Sequence, residues 1–264
     1  MAASAGTLQN AATERLNAGE LALGVILRQA RTVDIAPMMK ACGYDWLFLD
    51  LEHNSMDLDT AVQIAVAALG VGIAPVARVP AGQLWLATRF LDGGGLGIVV
   101  PHVDTPEEAQ KIAQALRYPP QGHRSVAGGL PHFAYEKVGL AEACDAINAA
   151  TLVIVMLETP TAIANADAIA AVPGIDSLLI GSNDLAMELG IPGGFADERI
   201  VAACQAVCDA CRAHGKAAGV GGISDEALLR SYIAMGVRLV LPGSDHSLLT
   251  RAATETAAAM RACL

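Results

Sequence analysis

The feature that most constrains the fold is an alternation of short apolar runs and amphipathic segments along the chain. The runs are rich in Val, Ile, Leu and Ala and contain little internal polar alternation, which is typical of strands covered on both faces in parallel sheets. Amphipathic segments with helix-start and helix-stop residues separate most of them. The predicted strands are residues 21–27, 46–49, 74–79, 97–100, 152–157, 177–180, 217–220 and 238–241.

Eight strands alternating with helices, in 264 residues without a linker, match the number and size of a (β/α)8 barrel. A doubly wound open sheet is the alternative, but it usually has fewer strands. We therefore predict a single (β/α)8 (TIM) barrel domain over residues 1–264. An extra N-terminal helix is expected within about residues 1–20, at 7–19, with the barrel at about 21–245 and a last helix at about 246–264.

Charge and hydropathy exclude several classes of partner. The chain is 53% hydrophobic and 17% charged, and its formal net charge is -10. An acidic chain without a basic run disfavours nucleic acid and anionic membranes as partners. No apolar stretch reaches the roughly 18 residues of a membrane helix, and the first residues lack the basic start and apolar core of a signal peptide. We predict a cytoplasmic protein.

Three of the six cysteines, Cys204, Cys208 and Cys211, are spaced along one face of a predicted helix. A metal or redox cluster is one interpretation of this spacing. The favoured interpretation is the buried stripe of an amphipathic helix, because cysteine packs as a small hydrophobic residue.

Polar residues follow several predicted strands at their C-terminal ends. In the segment GYDWLFLDLEH, an apolar run ends in two acids and a histidine. Catalytic groups of parallel barrels lie at this end of the strands, so these side chains are expected to converge. The strand-end residues are Asp50, Glu52, His53, Arg78, Glu158 and Asp184. Asp92, which precedes the fourth strand, is expected to approach from a loop.

Glu158 and Asp184 follow consecutive strands, whose spacing in a sheet is roughly 4.8 Å. Two carboxylates that close repel unless a positive charge lies between them. A hard divalent cation with oxygen ligands fits this pair. Each carboxylate could instead cap a helix or pair with an arginine, but the ring of polar strand ends favours the metal.

Other residues in the ring are suited to enolate chemistry. Arg78 is suited to stabilising charge on an oxygen, and His53 to moving protons near neutral pH, although such a histidine is often only structural. The short helix that starts near Gly181 offers free N–H groups to an anion. No lysine follows a strand, so a Schiff base is not expected. The long segment over residues 118–132 is expected to act as a lid or binding loop.

Six segments resemble the HpcH/HpaI family of metal-dependent aldolases, in the phosphoenolpyruvate/pyruvate barrel superfamily. The resemblance runs from about Gly24 to Val240, in the family's order. The family includes 2,4-dihydroxyhept-2-enedioate and 2-dehydro-3-deoxyglucarate aldolases. The segments are GYDWLFLDLEH, PVARVP, LDGGGLGIVVPHV, RYPPQGHRS, VMLETPTAIANADAIAAVPGID and IGSNDLAMELG.

The resemblance implies a class II aldolase. Such an enzyme makes or cleaves 4-hydroxy-2-oxo acids through the enolate of metal-chelated pyruvate, or a related 2-oxo acid, and an aldehyde. It implies that Glu158 and Asp184 bind Mg2+, Mn2+ or Co2+. It also implies a homohexamer, a trimer of dimers in which C-terminal helices are exchanged between subunits.

The resemblance also assigns roles to the other site residues. His53 would act in proton transfer, oriented by Asp50 or Asp92. Arg78 would hold the oxo or enolate oxygen. The backbone at the start of the short helix would hold the pyruvate carboxylate, at Ser182, Asn183 and Asp184.

This sequence departs from the family pattern at Met156, where many members have a glutamine that contacts the oxo acid. Two alternatives to an aldolase therefore stay open. One is a related carbon–carbon lyase or condensing enzyme that acts on oxaloacetate or a CoA thioester. The other is a catalytically silent 2-oxo-acid binding protein, which would be expected to have lost a residue of the ring.

Overall fold

The computed structural model describes residues 8–263 and contains a closed barrel of eight parallel strands. Each strand pairs with the next along the chain, and the first pairs with the last. The predicted (β/α)8 barrel is therefore confirmed. The strands are β1 Ala22–Leu27, β2 Trp46–Asp50, β3 Ala74–Arg78, β4 Gly97–Val100, β5 Leu152–Leu157, β6 Ser177–Gly181, β7 Ala217–Gly221 and β8 Val237–Leu241.

Helices surround the barrel and follow the strands. They are α1 Ala11–Asn17, α2 Ile35–Ala41, α3 Leu58–Val71, α4 Leu84–Asp92, α5 Pro106–Leu116, α6 Leu140–Ala150, α7 Pro160–Ala164, α8 Ala166–Ala170, α9 Ser182–Glu188, α10 Glu198–Ala213, α11 Glu226–Met235 and α12 Asp245–Arg261. The first residues of the predicted N-terminal helix and the last residue of the predicted C-terminal helix lie outside the described range. None of the described helices is long and apolar enough to cross a membrane.

The two-residue period of the strands divides the core into two layers. Trp46 and Phe48 belong to the cluster that fills the barrel, whereas Leu47 and Leu49 belong to the cluster between the strands and the helices. Gly24 makes room for the indole, because a Cβ atom there would lie 2.3 Å from Cε2 of Trp46. The barrel interior is thus a packed core and not a pore.

The same period sets the direction of the polar strand-end residues. Asp50 follows Phe48 by two positions, and Glu158 follows the interior residue Met156 by two. Alternate residues of a strand face the same side of the sheet. The carboxylates at the C-terminal strand ends therefore continue the interior layer instead of facing the helices.

The side chain of Asn10 fixes α1 against the N-terminal end of the barrel. Its Nδ2 donates to the carbonyl oxygens of Leu96 at 2.9 Å and Ala150 at 2.7 Å, immediately before β4 and β5. Its Oδ1 accepts from the N–H groups of Ala12 and Thr13, so the same residue caps α1. The amide thus holds three elements together.

The long segment over residues 118–132 covers the same N-terminal end. The guanidinium of Arg124 lies over the Tyr118 ring at 4.4 Å, and His132 Nε2 is 3.0 Å from the carbonyl oxygen of Gly95, which precedes β4. The segment connects a helix to the next strand, and such connections lie at the N-terminal ends of the strands. The expectation of a lid over the site is therefore wrong.

Cys204, Cys208 and Cys211 are buried on α10 within the core that packs against the strands. Over residues 8–263, no group of three or more His, Cys, Asp or Glu side chains is arranged to hold a metal ion. The arrangement fits the packing interpretation of this cysteine stripe.

We expect Asn10→Ala to destabilise the fold. The change removes an N-cap, worth about 1 kcal/mol, and leaves the carbonyl group of Ala150 unpaired at about 1–3 kcal/mol. The carbonyl group of Leu96 still accepts the N–H group of Leu152 at 2.9 Å. The free energy of unfolding in urea should fall by about 2–4 kcal/mol. Asn17→Ala, at the exposed end of the same helix, should change it by less than about 0.5 kcal/mol. Equal effects of the two changes would show that Asn10 does not hold the helix to the barrel.

Candidate active site

The buried carboxylate of Asp50 organises the C-terminal end of the barrel. Asp50 and Arg78 are paired in the register of β2 and β3. Arg78 donates from Nε to Oδ1 at 3.0 Å and from Nη2 to Oδ2 at 2.7 Å. A second guanidinium, that of Arg28, donates from Nε to Oδ2 at 3.0 Å. Burial alone would raise the pKa of Asp50, but hydrogen bonds and charge from Arg78, with smaller help from Arg28, hold it below its usual value.

Asp50 also shapes the turn that carries the histidine. Its Oδ1 accepts the backbone N–H groups of Glu52 and His53, both at 3.2 Å. The oxygens of Asp50 thus contact the backbone of this turn and the two arginines, so Asp50 positions His53 through its backbone. The carboxylate next to the imidazole is that of Glu52, with Oε2 at 3.7 Å from Nε2 of His53. The His53 side chain is 52% exposed and reaches into the opening.

Asp92 lies at the other end of the barrel. It is the last residue of α4, just before β4 begins, and its Oδ1 accepts from Nη2 of Arg124 at 2.6 Å. His53, in contrast, follows the C-terminal end of β2. Within one chain Asp92 therefore lies away from His53, because a helix in this fold ends where the next strand starts.

The guanidinium of Arg78 is held on three sides. Besides Asp50, it faces Oε2 of Glu52, 3.2 Å from its Nη1, and it lies 5.3 Å from the centre of the Phe48 ring. The side chain is buried, yet it lines the cavity above the barrel. A fixed, desolvated cation at this position can stabilise negative charge that develops on a substrate oxygen.

Glu158 is the more deeply buried acid of the predicted metal pair, with a side chain that is 1% exposed. Its Oε2 accepts the backbone N–H of His102 at 2.8 Å and lies 3.2 Å from Nδ1 of that imidazole. His102 has a positive φ of 53°, an uncommon conformation for a residue with a side chain. At Gly181 a Cβ atom would lie 2.5 Å from Oε1 of Glu158, so only glycine leaves room for this carboxylate.

Burial, with a smaller contribution from the charge of Asp184, raises the pKa of Glu158 to about 7 against the opposing N–H and imidazole of His102. A carboxylate whose ionised form is disfavoured by burial and by a neighbouring acid is suited to binding a cation. No third His, Cys, Asp or Glu side chain completes a cluster in the described part of the chain. Two carboxylates fit a hard divalent ion, which commonly keeps other positions for water and substrate.

The start of α9 contributes the remaining predicted residues. Ser182 is buried, and its Oγ has no hydrogen-bond partner among the described residues. Asn183 is exposed, and Asp184 is half-buried in the first turn of the helix. All three residues line the cavity. The hydroxyl group of Ser182 is thus free to meet a polar ligand.

A cavity of about 380 Å³ joins these groups. His53 and Arg78 line it on one side and α9 on the other, whereas Asp50 and Glu158 are buried beside these residues. No lysine belongs to this lining, and Lys216 instead precedes β7 and donates to the carbonyl oxygen of Ile175. The floor is apolar and consists of Ile26, Phe48, Met156, Leu179 and Leu241.

Two residues of the site were not predicted, although the same strand-end rule points to both. Arg28 comes directly after β1, and His102 follows β4 after a single proline. Neither belongs to a motif that signals function by itself. The positive φ of His102 and the sharing of Asp50 by two arginines depend on three-dimensional contacts, so the sequence gives no sign of them.

Comparisons with known proteins identify the family of this chain. Residues 25–252 match the family described as HpcH/HpaI aldolase/citrate lyase. The chain is 36% identical over 258 residues to a 4-hydroxy-4-methyl-2-oxoglutarate aldolase of Hapsidospora irregularis, covering 96% of this chain and 95% of that protein. It is also 36% identical to a hydroxypyruvate/pyruvate aldolase of Cupriavidus necator, covering 93% and 90% of the two chains.

Among solved structures, the citrate synthase SbnG superposes with a TM-score of 0.85 and 29% sequence identity, covering 96% of this chain and 98% of that chain. The two named aldolases are carbon–carbon lyases, which is the enzyme class predicted from the sequence. The family model, the relatives and the fold thus confirm the resemblance seen in the motifs, and the chain belongs to the HpcH/HpaI aldolase/citrate lyase family.

Proposed function

We propose that this protein is a divalent-metal-dependent (class II) aldolase that makes or cleaves 4-hydroxy-2-oxo acids. Its substrates are pyruvate or a related 2-oxo acid and an aldehyde or other carbonyl acceptor. The observation that carries the proposal is the pair Glu158 and Asp184 beside the fixed guanidinium of Arg78 in one cavity. Such a set suits the formation of an enolate next to a carboxylate.

Glu158 and Asp184 would hold Mg2+, Mn2+ or Co2+. When bound, the cation supplies Lewis-acid polarisation of the 2-oxo group. The start of α9, at Ser182 and Asn183, orients the carboxylate of the 2-oxo acid with its N–H groups.

The side chains of His53 and Arg78 transfer the proton and stabilise the negative charge. In cleavage, His53 accepts the proton of the C4 hydroxyl group, directly or through a water molecule. The C3–C4 bond then breaks, and its electron pair forms the enolate, whose oxygen Arg78 stabilises. Return of a proton to C3 gives pyruvate, and condensation follows the same steps in reverse.

A condensing enzyme is the second candidate, because the citrate synthase SbnG shares the fold at 29% identity. Condensation and aldol cleavage both need an enolate, so the site geometry serves either. Incubation with oxaloacetate and acetyl-CoA separates them: only a condensing enzyme would release free CoA. A catalytically silent binding protein would give neither product.

We also propose a homohexamer, a trimer of dimers in which α12 is exchanged between subunits. The helix has no buried residue, and Leu249 and Met260 on it are 70% and 63% exposed. Apolar side chains with this exposure fit a contact with a second copy of the chain. A cytoplasmic location, without nucleic-acid or membrane partners, agrees with the acidic net charge of -10.

We expect the activity to depend on a divalent cation. Chelator should abolish cleavage of a 4-hydroxy-2-oxo acid, and Mg2+, Mn2+ or Co2+ should restore it. Glu158→Gln and Asp184→Asn should each weaken Mn2+ binding measured by calorimetry, because each loses a charged oxygen ligand. Asp167→Asn, at an exposed acid outside the site, is the control. Full activity in excess chelator would rule out the two-carboxylate site.

Arg78 and His53 should affect different steps, although both variants should lose aldol cleavage and bind Mn2+ nearly normally. Removing one donor to a developing oxyanion costs about a hundred- to a thousandfold in rate. Loss of a general base costs about a hundred- to ten-thousandfold. Exchange of pyruvate methyl protons with deuterated water reports enolate formation alone, so Arg78→Ala should lose it almost entirely and His53→Ala should retain some.

Arg78→Lys provides a second measurement in case Arg78→Ala does not fold. The lysine keeps a positive charge beside Asp50 but cannot make the bidentate contact of the arginine. Circular dichroism serves as the folding control for all three variants. Loss of Mn2+ binding in His53→Ala, together with normal exchange in Arg78→Ala, would contradict the assignment of both residues.

The oligomer is tested on α12. Leu249→Asp and Met260→Asp should each lower the mass measured by light scattering, because a charge would be buried in the contact. Thr250→Asp, on an adjacent exposed position of the same helix, gives a less severe control because its side chain is already polar. An unchanged mass in both apolar variants would exclude this helix as the contact.

A further inference from the structure

A second cavity, of about 540 Å³, lies at the N-terminal end of the barrel, opposite the candidate active site. It is bordered by the residues that begin β7 and β8 and by the C-terminal ends of α10 and α11. Its volume falls within the range of about 300–1,000 Å³ that is typical of small-molecule sites. The proposed mechanism makes no use of this cavity.

The lining of this cavity concentrates positive charge in an otherwise acidic chain. Within the described residues, Asp176 is the only acid in the lining, against four cationic residues. The four are Arg117, Arg212, Lys216 and Arg238. The whole chain, in contrast, has 27 acidic residues and 17 lysines and arginines. A cleft lined by charge of one sign attracts ligands of the opposite sign.

Two of the four cations are balanced by carboxylates. Nη2 of Arg117 donates to Oδ2 of Asp176, and the other nitrogens of this guanidinium donate to backbone carbonyl oxygens. Arg212 donates from Nη1 to Oδ1 of Asp209 at 2.6 Å. The charge of Lys216 also acts on Asp176, so this one acid faces two cations. The cavity therefore keeps an excess of positive charge.

The position of Arg238 results from an irregularity in β8. The residues of β8 that pair with consecutive residues of β7 are Val237 and Leu239, so the register skips Arg238. Val237 accordingly packs between the strands and the helices, and Leu239 packs inside the barrel. A bulge changes the direction of a side chain. Here it leaves the half-buried Arg238 in the lining of the cavity.

Lys216 and Arg238 are held in place but keep free donors. Nζ of Lys216 donates to the carbonyl oxygen of Ile175 at 2.7 Å, which uses one of its three hydrogens. Arg238 donates from Nε and Nη1 to three backbone carbonyl oxygens, whereas its Nη2 makes no hydrogen bond within residues 8–263. Neither residue forms an ion pair with a carboxylate in that range. Carbonyl oxygens thus fix both side chains without neutralising their charge.

The two cations are close enough to share one ligand. Lys216 directly precedes β7, and Arg238 is the second residue of the neighbouring strand β8. Neighbouring strands lie about 4.8 Å apart, so two long side chains at this spacing can reach the oxygens of one group. Thr13 also lines the cavity, and its buried hydroxyl group has no hydrogen-bond partner among the described residues. The cavity therefore offers two charged donors and a hydroxyl group to an anion.

We propose that this cavity binds a small phosphate monoester, with its phosphate group between Lys216 and Arg238. A phosphate group carries up to two negative charges and three acceptor oxygens, which match two cations with free donors. The cavity is larger than a phosphate group, so it also accommodates a small organic group. The site is additional to the proposed aldolase function and does not depend on it, because the two cavities lie at opposite ends of the barrel.

Binding is measured by calorimetry with inorganic phosphate and with glycerol 3-phosphate, in excess chelator so that no metal ion holds a phosphate at the active site. Both should bind to the wild-type protein and raise its Tm. Lys216→Gln and Arg238→Gln should each lower the affinity about ten- to a hundredfold, because each removes a charge-assisted contact. Lys216→Arg, which keeps the charge, should lose far less.

Arg230→Gln is the matched control, because this exposed arginine of α11 pairs with Glu226 outside the cavity and should leave the affinity unchanged. Arg28→Gln examines the opposite cavity, which Arg28 lines. An equal loss of affinity in Arg28→Gln and Lys216→Gln would place the anion at the candidate active site and overturn the proposal. Unchanged affinity in both Lys216→Gln and Arg238→Gln would do the same.

Two measurements on the wild-type protein need no variant, so they hold even if a glutamine variant does not fold. The affinity for glycerol 3-phosphate should fall as sodium chloride is added, because salt screens the attraction. Malonate and succinate should bind more weakly, since each of their carboxylates carries a single charge. Absence of phosphate binding, an affinity independent of salt, or tighter binding of a dicarboxylate would each overturn the proposal. None of these results bears on the aldolase assays, which require metal and an aldehyde.

Discussion

The site depends on the buried carboxylate of Asp50, whose single negative charge is shared by two arginines. Asp50 accepts from two guanidinium groups and from two backbone N–H groups of the turn that follows. A buried, ionised acid is costly unless its oxygens are fully hydrogen-bonded. Here the cost is offset by contacts that also fix Arg78, Arg28 and the backbone of His53. One carboxylate thus links the positions of these three residues, in addition to the separate contacts that each arginine makes.

The opposite wall of the cavity, at Glu158 and Asp184, holds carboxylates that are not paired with arginines of the described chain. Burial raises the pKa of Glu158, and the charge of Asp184 adds to this effect. The backbone of His102 adopts an uncommon conformation to hold one oxygen of Glu158, and Gly181 leaves the space for the other. Strained and tightly packed elements around an unfavourable charge pair are typical of sites prepared for a ligand. The fold therefore fixes the geometry of this wall, and the proposed cation would supply the missing positive charge.

Strand periodicity explains how much the sequence could predict. All eight strands were predicted because buried parallel strands are apolar runs, and the acids at their ends pointed to the correct edge of the barrel. The sequence does not show at which end of the barrel a connecting segment lies. Asp92 and the segment over residues 118–132 lie at the opposite end, since helix-to-strand connections cannot reach the site within one chain. The helix α6 and the break between α7 and α8, where Asn165 donates to the carbonyl oxygen of Asp104, depend on tertiary contacts.

The packed interior below the site has a kinetic consequence. Side chains such as Trp46 fill the barrel, and Asn10 ties a helix across its N-terminal end, so the cavity opens only toward the C-terminal strand ends. A molecule seated against Glu158 lies beneath any molecule that touches Arg28. Both reactants pass through the same cavity opening, so the reactant that binds deeper would enter first and leave last. For the proposed two-substrate reaction, the barrel architecture therefore favours an ordered sequence of addition and release.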